Sequence, residues 1–430
     1  MDKQKIIDIL NSEMELATGC TEPAAIALTA ATAAKHLGGE PVENIAVCAS
    51  GNMIKNAMAA GIPGTPYTGI EYAAAIGAVG GDPEKGLQVI DCVEPKAYEA
   101  AEKLVAEKKV TVKVANVTEK LYVDITLKGK TMVSRAVISG SHTNVVLIQE
   151  NGKTVYQASA SGQDQSGISL EEISRTLSVK KIFEFINEIN TVADPLDIIK
   201  KSISINSAIS EEGLKNDYGL KIGKTIRAEL GEGFVSNDMV TNVMSATTAG
   251  ADARMAGAPF TVVSNSGSGN QGITATMPVV TVAKWIKAGD DKMIRAVTLS
   301  NLIAIYIKSK FGRLSALCGA TVAGTGAACG VTYLLGGDLK AIEYAIQNMI
   351  GNVTGMLCDG AKADCALKIC TCTNAAMQAA FMALKGLRVQ KTDGIVDEDV
   401  EKSIDNFTDL GNKGSIAMDS LVLSMMLNKK

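Results

Sequence analysis

Between Val110 and Ile148 the apolar residues of this chain recur every second position, and that period most constrains the fold. Val110-Thr-Val-Lys-Val114 alternates strictly, and Leu121–Leu127, Met132–Ile138 and Asn144–Ile148 follow the same pattern. Alternation puts successive side chains on opposite faces of a strand. Gly129 and Asn151-Gly152 supply the turns between strands. The spacing predicts a small antiparallel sheet, preceded by a short helix over Ala97–Ala106.

On either side the period is helical. Lys3 to Gly81 reads as Ala-rich helices separated by Gly and Pro, and Thr21-Glu22-Pro23 is a favourable helix start. After a Ser/Gly/Gln-rich linker over 158–167, helices are predicted at 170–177, 180–187, 195–209, 214–230, 237–253, 278–288, 292–309, 339–350, 361–384 and, broken within, 396–426. The expected fold class is α+β. A predominantly α-helical body (1–81 and 158–430) holds the chemistry, and a small α+β unit (82–157) with an antiparallel sheet is inserted into it.

Aromatic residues make up 4% of the chain and glycines number 41, so the core must be built from Ala, Val, Ile, Leu and Met. The formal net charge of −4 and the lack of any basic run argue against a nucleic-acid or membrane-surface partner. Two stretches lack charge. Met255–Ala283 contains a polar glycine loop unsuited to lipid, and Leu314–Gly337, interrupted at Gly324-Thr325-Gly326, reads as a buried helix pair. The N-terminus carries no secretory pattern, so a cytoplasmic location is expected.

Six of the nine cysteines fall between positions 318 and 372. Cys358 and Cys365 stand seven apart around Gly360, and Cys318 or Cys329, each followed by glycine, could add a third thiol. Three thiolates suit an iron–sulfur cluster with one open iron. A zinc knuckle would need a CxxC pair, which is absent. The plain alternative is a set of small buried hydrophobes, and Cys372 shares a helix face with Cys365. Cys20 precedes a predicted helix start, where the N-terminal field should depress a thiol pKa; otherwise it is a packed turn residue. Of the two histidines, His36 reads as a mid-helix surface residue and His142 lies in a polar strand connection. Ser50-Gly51-Asn52 and 264–272 could cradle a small anion. A dinucleotide fingerprint at 267–272 lacks its strand and acidic partner, and Thr274–Pro278 should prevent a helix from following directly. Nothing singles out a pyridoxal-phosphate lysine.

Gly19-Cys-Thr-Glu-Pro23, Ser50-Gly-Asn-Met-Ile-Lys-Asn56, Gly61-Ile-Pro-Gly-Thr65, Ser141-His-Thr-Asn144, Asp252-Ala-Arg-Met255, Ser266-Gly-Ser-Gly-Asn-Gln-Gly272, Arg313–Gly319 and Leu357–Lys362 together resemble the L-cysteine desulfidase family, which is related to the α-domain of iron–sulfur L-serine dehydratases. The resemblance spans essentially the whole chain. It implies a [4Fe–4S] enzyme with one open iron and no pyridoxal phosphate, converting L-cysteine to pyruvate, ammonia and sulfide. The runner-up is L-serine dehydration; a non-catalytic iron–sulfur sensor or sulfur carrier is a further alternative. The matching cluster residues are Cys318, Cys358 and Cys365, and the matching active-site thiol is Cys20, expected to remove the α-proton with His142 and Glu22 as rivals. The substrate would be held by Asn52, His142, Asn144 and the 266–272 loop through Ser266 and Asn270. A homo-oligomer is expected. The C-terminal cysteine of some serine dehydratases has no counterpart here.

Overall fold

A computed structural model describes residues 2–91, 93–158, 168–312 and 316–429. Cys92, most of the linker (159–167) and Arg313–Ser315 of one motif lie outside the described residues. The strands are β1 (Leu16–Thr18), β2 (Asn44–Ala49), β3 (Val110–Val114), β4 (Tyr122–Lys128), β5 (Val133–Ser139), β6 (Val145–Glu150), β7 (Lys153–Gln157) and β8 (Thr261–Val263). The chain is an α+β protein with a helical body.

Six strands form one sheet in the order β3-β2-β4-β5-β6-β7. Its pairs are antiparallel except β2 and β3, which run parallel with Ile45 opposite Val110. Residues 44–49 were expected to be helical, and the strand there is the main departure from the sequence reading. Ile45, Val47 and Ala49 point into the core, while Ala46 and Cys48 occupy the other face. With apolar residues on both faces, period two leaves no mark in the sequence.

Helices Thr21–Lys35 and Ile70–Gly80 share one apolar core with this sheet, from Ala25 to Ile138. A Cβ at Gly77 would fall 2.3 Å from the Ala27 carbonyl oxygen, so the two helices meet backbone to backbone. His36 stands at the C-terminal cap of Thr21–Lys35, not mid-helix, and its Nδ1 lies 2.8 Å from Glu150 on β6.

A second core joins Ile6–Met14 to residues 173–407. Its centre is helix Gly319–Leu334, packed among helices Gly269–Trp285, Asp290–Phe311, Leu339–Val353 and Cys365–Leu384. Two expectations are corrected here. Gly324-Thr325-Gly326 does not divide this helix: a Cβ at Gly326 would sit 2.3 Å from the Ser300 carbonyl oxygen, so the glycine admits a neighbouring helix instead of a turn. Helix Gly269–Trp285 also runs through Pro278. Burial of its residues among neighbouring helices offsets the missing N–H, which costs about 3 kcal/mol in a helix interior. No helix of the described residues is long and apolar enough to cross a membrane.

Candidate active site

The thiols meet where two chain segments run side by side. Leu317 and Leu357 form an antiparallel bridge. The Cys318 N–H donates to the Met356 carbonyl (2.9 Å) and the Cys358 N–H to that of Ala316 (2.8 Å). Cys318 and Cys358 are therefore diagonal neighbours on one face, about 7 Å apart at Cβ. Cys365 opens helix Cys365–Leu384, and its thiol donates to the Gly360 carbonyl at 3.4 Å. Burial pushes the Cys318 and Cys365 thiols up to about 12; the nearby Cys358 adds to both, and the Lys368 ammonium opposes the rise. Cys329, which spacing could not separate from Cys318, lies in the main core away from this group. Cys372 does border it, beside Cys318, with its sulfur 3.6 Å from that of Met356.

Cys20 reaches the same place from the opposite direction. β1 pairs with β8, Leu16 opposite Val263, and delivers Cys20 to the start of helix Thr21–Lys35. The sulfur packs with Ala60 and Met255, against Ala361 and Cys365. Its pKa is raised, not depressed as the helix start suggested: complete burial outweighs the lowering by the Arg254 guanidinium, and Glu22 adds to the rise. A thiol shut off from water gains less from partial helix charges than it loses in solvation.

Most of the sequence motifs close around these sulfurs. Arg254 Nη2 donates to the Gly19 carbonyl at 2.7 Å. Gly19 has φ +71°, and a Cβ there would overlap Pro63 at 2.0 Å, which fixes the 61–65 turn against it. Thr21 Oγ1 donates to the Gly267 carbonyl (3.4 Å), and Asn56 Nδ2 to Glu22 (3.2 Å). Helix Gly51–Ala57 carries Lys55, 2% exposed, which donates to the Cys358 carbonyl (3.2 Å) and pairs with Asp419. Asn52 Nδ2 also donates to Asp419 (2.9 Å), so helix Ile416–Leu427 covers this side. The 266–272 loop is the N-terminus of its helix, capped by Ser268 accepting from the Gln271 N–H. Gln271 lies against Gly319, the residue after Cys318. Asn270 Nδ2 lies 3.0 Å from the Met255 sulfur, and Ser266, at φ +49°, spends its hydroxyl on Asn265.

The 141–144 turn is placed differently. Asn144 Nδ2 donates to the Ser139 carbonyl (2.9 Å), closing the β5–β6 connection, and His142 is half-buried in the same turn. Register puts this turn at the end of the sheet that carries Ser50, two strands away or about 10 Å.

Sequence reasoning gave Arg254, Lys55 and Asp419 no role. For the first two a signal existed, since each is the single basic residue of an Ala-, Gly- or Met-rich run that the fold buries. Among these motif residues, Asn56 Oδ1, Arg254 Nε and Asn270 Oδ1, together with Gln271 Oε1 beside Gly319, are buried with no hydrogen-bond partner. Buried polar atoms are ordinarily paired, so such a group marks a place built for a polar guest.

Among the described residues no three His, Cys, Asp or Glu side chains are grouped to hold a single ion. A multi-iron cluster asks something else: each thiolate binds a different iron, so its donors stand farther apart, as the diagonal Cys318–Cys358 pair does. Three thiols from two segments, Cys318 buried and Cys358 and Cys365 half-buried, fit that donor set.

A family model described as the serine dehydratase alpha chain matches residues 84–424. The chain is 43% identical to a UPF0597 protein of Oleidesulfovibrio alaskensis, covering 99% of this chain and 98% of that one. A UPF0597 protein of Porphyromonas gingivalis is also 43% identical (100% and 99% covered), and one of Bacteroides thetaiotaomicron is 40% identical (100% and 98%). Cys318, Cys358, Cys365 and Arg254 fall inside the family match; Cys20 and residues 50–65 precede it.

Proposed function

The chain belongs to the serine dehydratase alpha-chain family, and from that premise we propose that it is an iron–sulfur lyase eliminating sulfide from L-cysteine. The supporting observation is the meeting of Cys20 with Cys365, beside Cys318 and Cys358, although these thiols come from distant parts of the chain. Cys318, Cys358 and Cys365 would hold a [4Fe–4S] cluster with one open iron, whose chemistry is Lewis acidity toward the leaving group. Cys20 removes the α-proton once its thiol is ionised, and its burial keeps water from that proton. Loss of the β-sulfur leaves aminoacrylate, which tautomerises to an imine and hydrolyses to pyruvate and ammonia.

L-cysteine is preferred because Cys20 packs with the sulfur-bearing Met255 and Cys365, a soft setting for a substrate thiolate. L-serine is the second reading, favoured by the family's description. The test is anaerobic iron–sulfide reconstitution followed by parallel assays with both amino acids. Pyruvate with stoichiometric sulfide from L-cysteine supports the first reading, pyruvate from L-serine alone the second. Iron-loaded protein that releases pyruvate from neither sinks both. We also read the chain as a cytoplasmic homo-oligomer: Ile416, Leu421 and Met425 are 68%, 56% and 59% exposed on helix Ile416–Leu427. Sedimentation as a monomer would remove that part.

A further inference from the structure

Arg254 is 4% exposed, and no carboxylate lies within ion-pair distance of it among the described residues. Its donors meet the Gly19 carbonyl and, at 3.6 Å, the Met255 sulfur, while Nε has no partner. A buried guanidinium normally faces an anion, because desolvating an uncompensated charge costs several kcal/mol. The molecule holds this one by close packing: a Cβ at Gly269 would fall 2.2 Å from Nε, so only glycine leaves room for it at the start of helix Gly269–Trp285. Near the same thiol stands Glu22, whose carboxylate accepts from Asn56 Nδ2 and from Thr21 Oγ1 (3.2 Å) and has no cationic partner among the described residues. Both charges act on the Cys20 thiol, Arg254 lowering its pKa and Glu22 raising it. One buried cation and one carboxylate thus act on a single thiol, and the residues beside them, Asn56 on Glu22 and Asn270 on Met255, each keep an unpartnered amide oxygen.

We propose that Arg254 and Glu22 form a clamp for the two charges of a free α-amino acid, Arg254 taking the α-carboxylate and Glu22 the α-ammonium, with the Cα hydrogen directed at Cys20. The inference rests on the elimination reading for its placement of the substrate but commits to a binding chemistry that can be measured without turnover. A guanidinium fits a carboxylate with two parallel hydrogen bonds. The unpartnered amide oxygen of Asn270 is a further acceptor for ammonium N–H groups. A ligand carrying one charge alone would leave the opposite group unmatched, so the site should discriminate between an amino acid and its singly charged analogues.

The test uses the full chain with its reconstituted cluster and three probes that lack a β-leaving group: L-alanine, propionate and L-alaninamide. Titration calorimetry should show L-alanine binding at least ten-fold more tightly than either analogue. Arg254→Lys, which keeps the charge but loses the fork, and Glu22→Gln should each weaken L-alanine binding by about ten-fold, with folded-state circular dichroism unchanged. Equal binding of the three probes by the unmodified protein overturns the clamp, and so does no L-alanine binding at millimolar concentration. Selective L-alanine binding by a protein that turns over neither L-cysteine nor L-serine keeps the clamp and removes the elimination. Turnover with unchanged KM in both variants does the reverse.

Discussion

Gly360 is the point at which the thiol loop depends most on a single hydrogen atom. It has φ +103°, and a Cβ there would lie 2.1 Å from the Lys55 carbonyl oxygen, against 3.4–4 Å for ordinary contact. That oxygen belongs to helix Gly51–Ala57, and Lys55 itself is anchored by the Cys358 carbonyl and Asp419, so neither side can retreat cheaply. Gly360→Ala should pay about 1–2 kcal/mol for the positive φ and about 1–3 kcal/mol more for forced overpacking. Gly386→Ala isolates the first of these, because Gly386 has φ +71° and nothing within 4 Å of its would-be Cβ. Urea unfolding followed by circular dichroism should therefore show Gly386→Ala losing about 1–2 kcal/mol with full iron content. Gly360→Ala should lose clearly more and hold little iron after reconstitution, because Cys358 and Cys365 are displaced from Cys318. Equal destabilisation by the two substitutions with iron retained in both would refute the argument, showing that the loop does not rest on the Lys55 backbone.

Because burial raises the Cys20 pKa above its ordinary 9.0, the thiolate fraction, and with it kcat/KM, should climb with pH across the alkaline range, and Cys20→Ser should abolish turnover at unchanged iron content. A pH profile flat from 7 to 9.5 (a range chosen to bracket about the ordinary thiol pKa) would transfer the proton to another group. Cys318→Ala should lose bound iron, whereas Cys329→Ala, in the main core, should keep it and lose only about 1 kcal/mol of packing; iron analysis of both decides. Asp252 is buried with its carboxyl raised to about 6, one oxygen accepting the Gly223 N–H at 2.9 Å and the other unpartnered. The folded state then holds that proton more tightly than the unfolded one, so stability falls as pH rises from about 4 to about 6. Asp252→Asn retains the acceptor and should remove that loss, worth about 3 kcal/mol at pH 7, seen as a higher urea midpoint at pH 7 but not at pH 4.

The helical body and strands β3 to β6 were legible because their apolar residues repeat with a clear period, whereas β7 (Lys153–Gln157), exposed along its whole length, buries no face that would leave one. β2 was not, because Ile45-Ala-Val-Cys-Ala49 carries apolar side chains on both faces and nothing local separates a buried strand from a helix. Pro278 and Gly324–Gly326 misled for a related reason. Proline and glycine are breakers in isolation, but here neighbouring helices occupy the space they leave, and that compensation is tertiary.

The site divides in the same way. Residue types and spacing alone pointed to thiol chemistry: a concentration of cysteines flanked by glycine, a thiol at a helix start, and polar glycine loops. Spacing could not separate Cys318 from Cys329, since eleven apart they would share a face if the stretch were one helix; the Leu317–Leu357 bridge places Cys318 before that helix and beside Cys358. Nor could local sequence give the sign of the Cys20 shift or a partner for Arg254. A pKa and the worth of a charge depend on how much water remains, and only the closing of residues 16–23, 51–65, 252–272 and 357–365 over one another removes it.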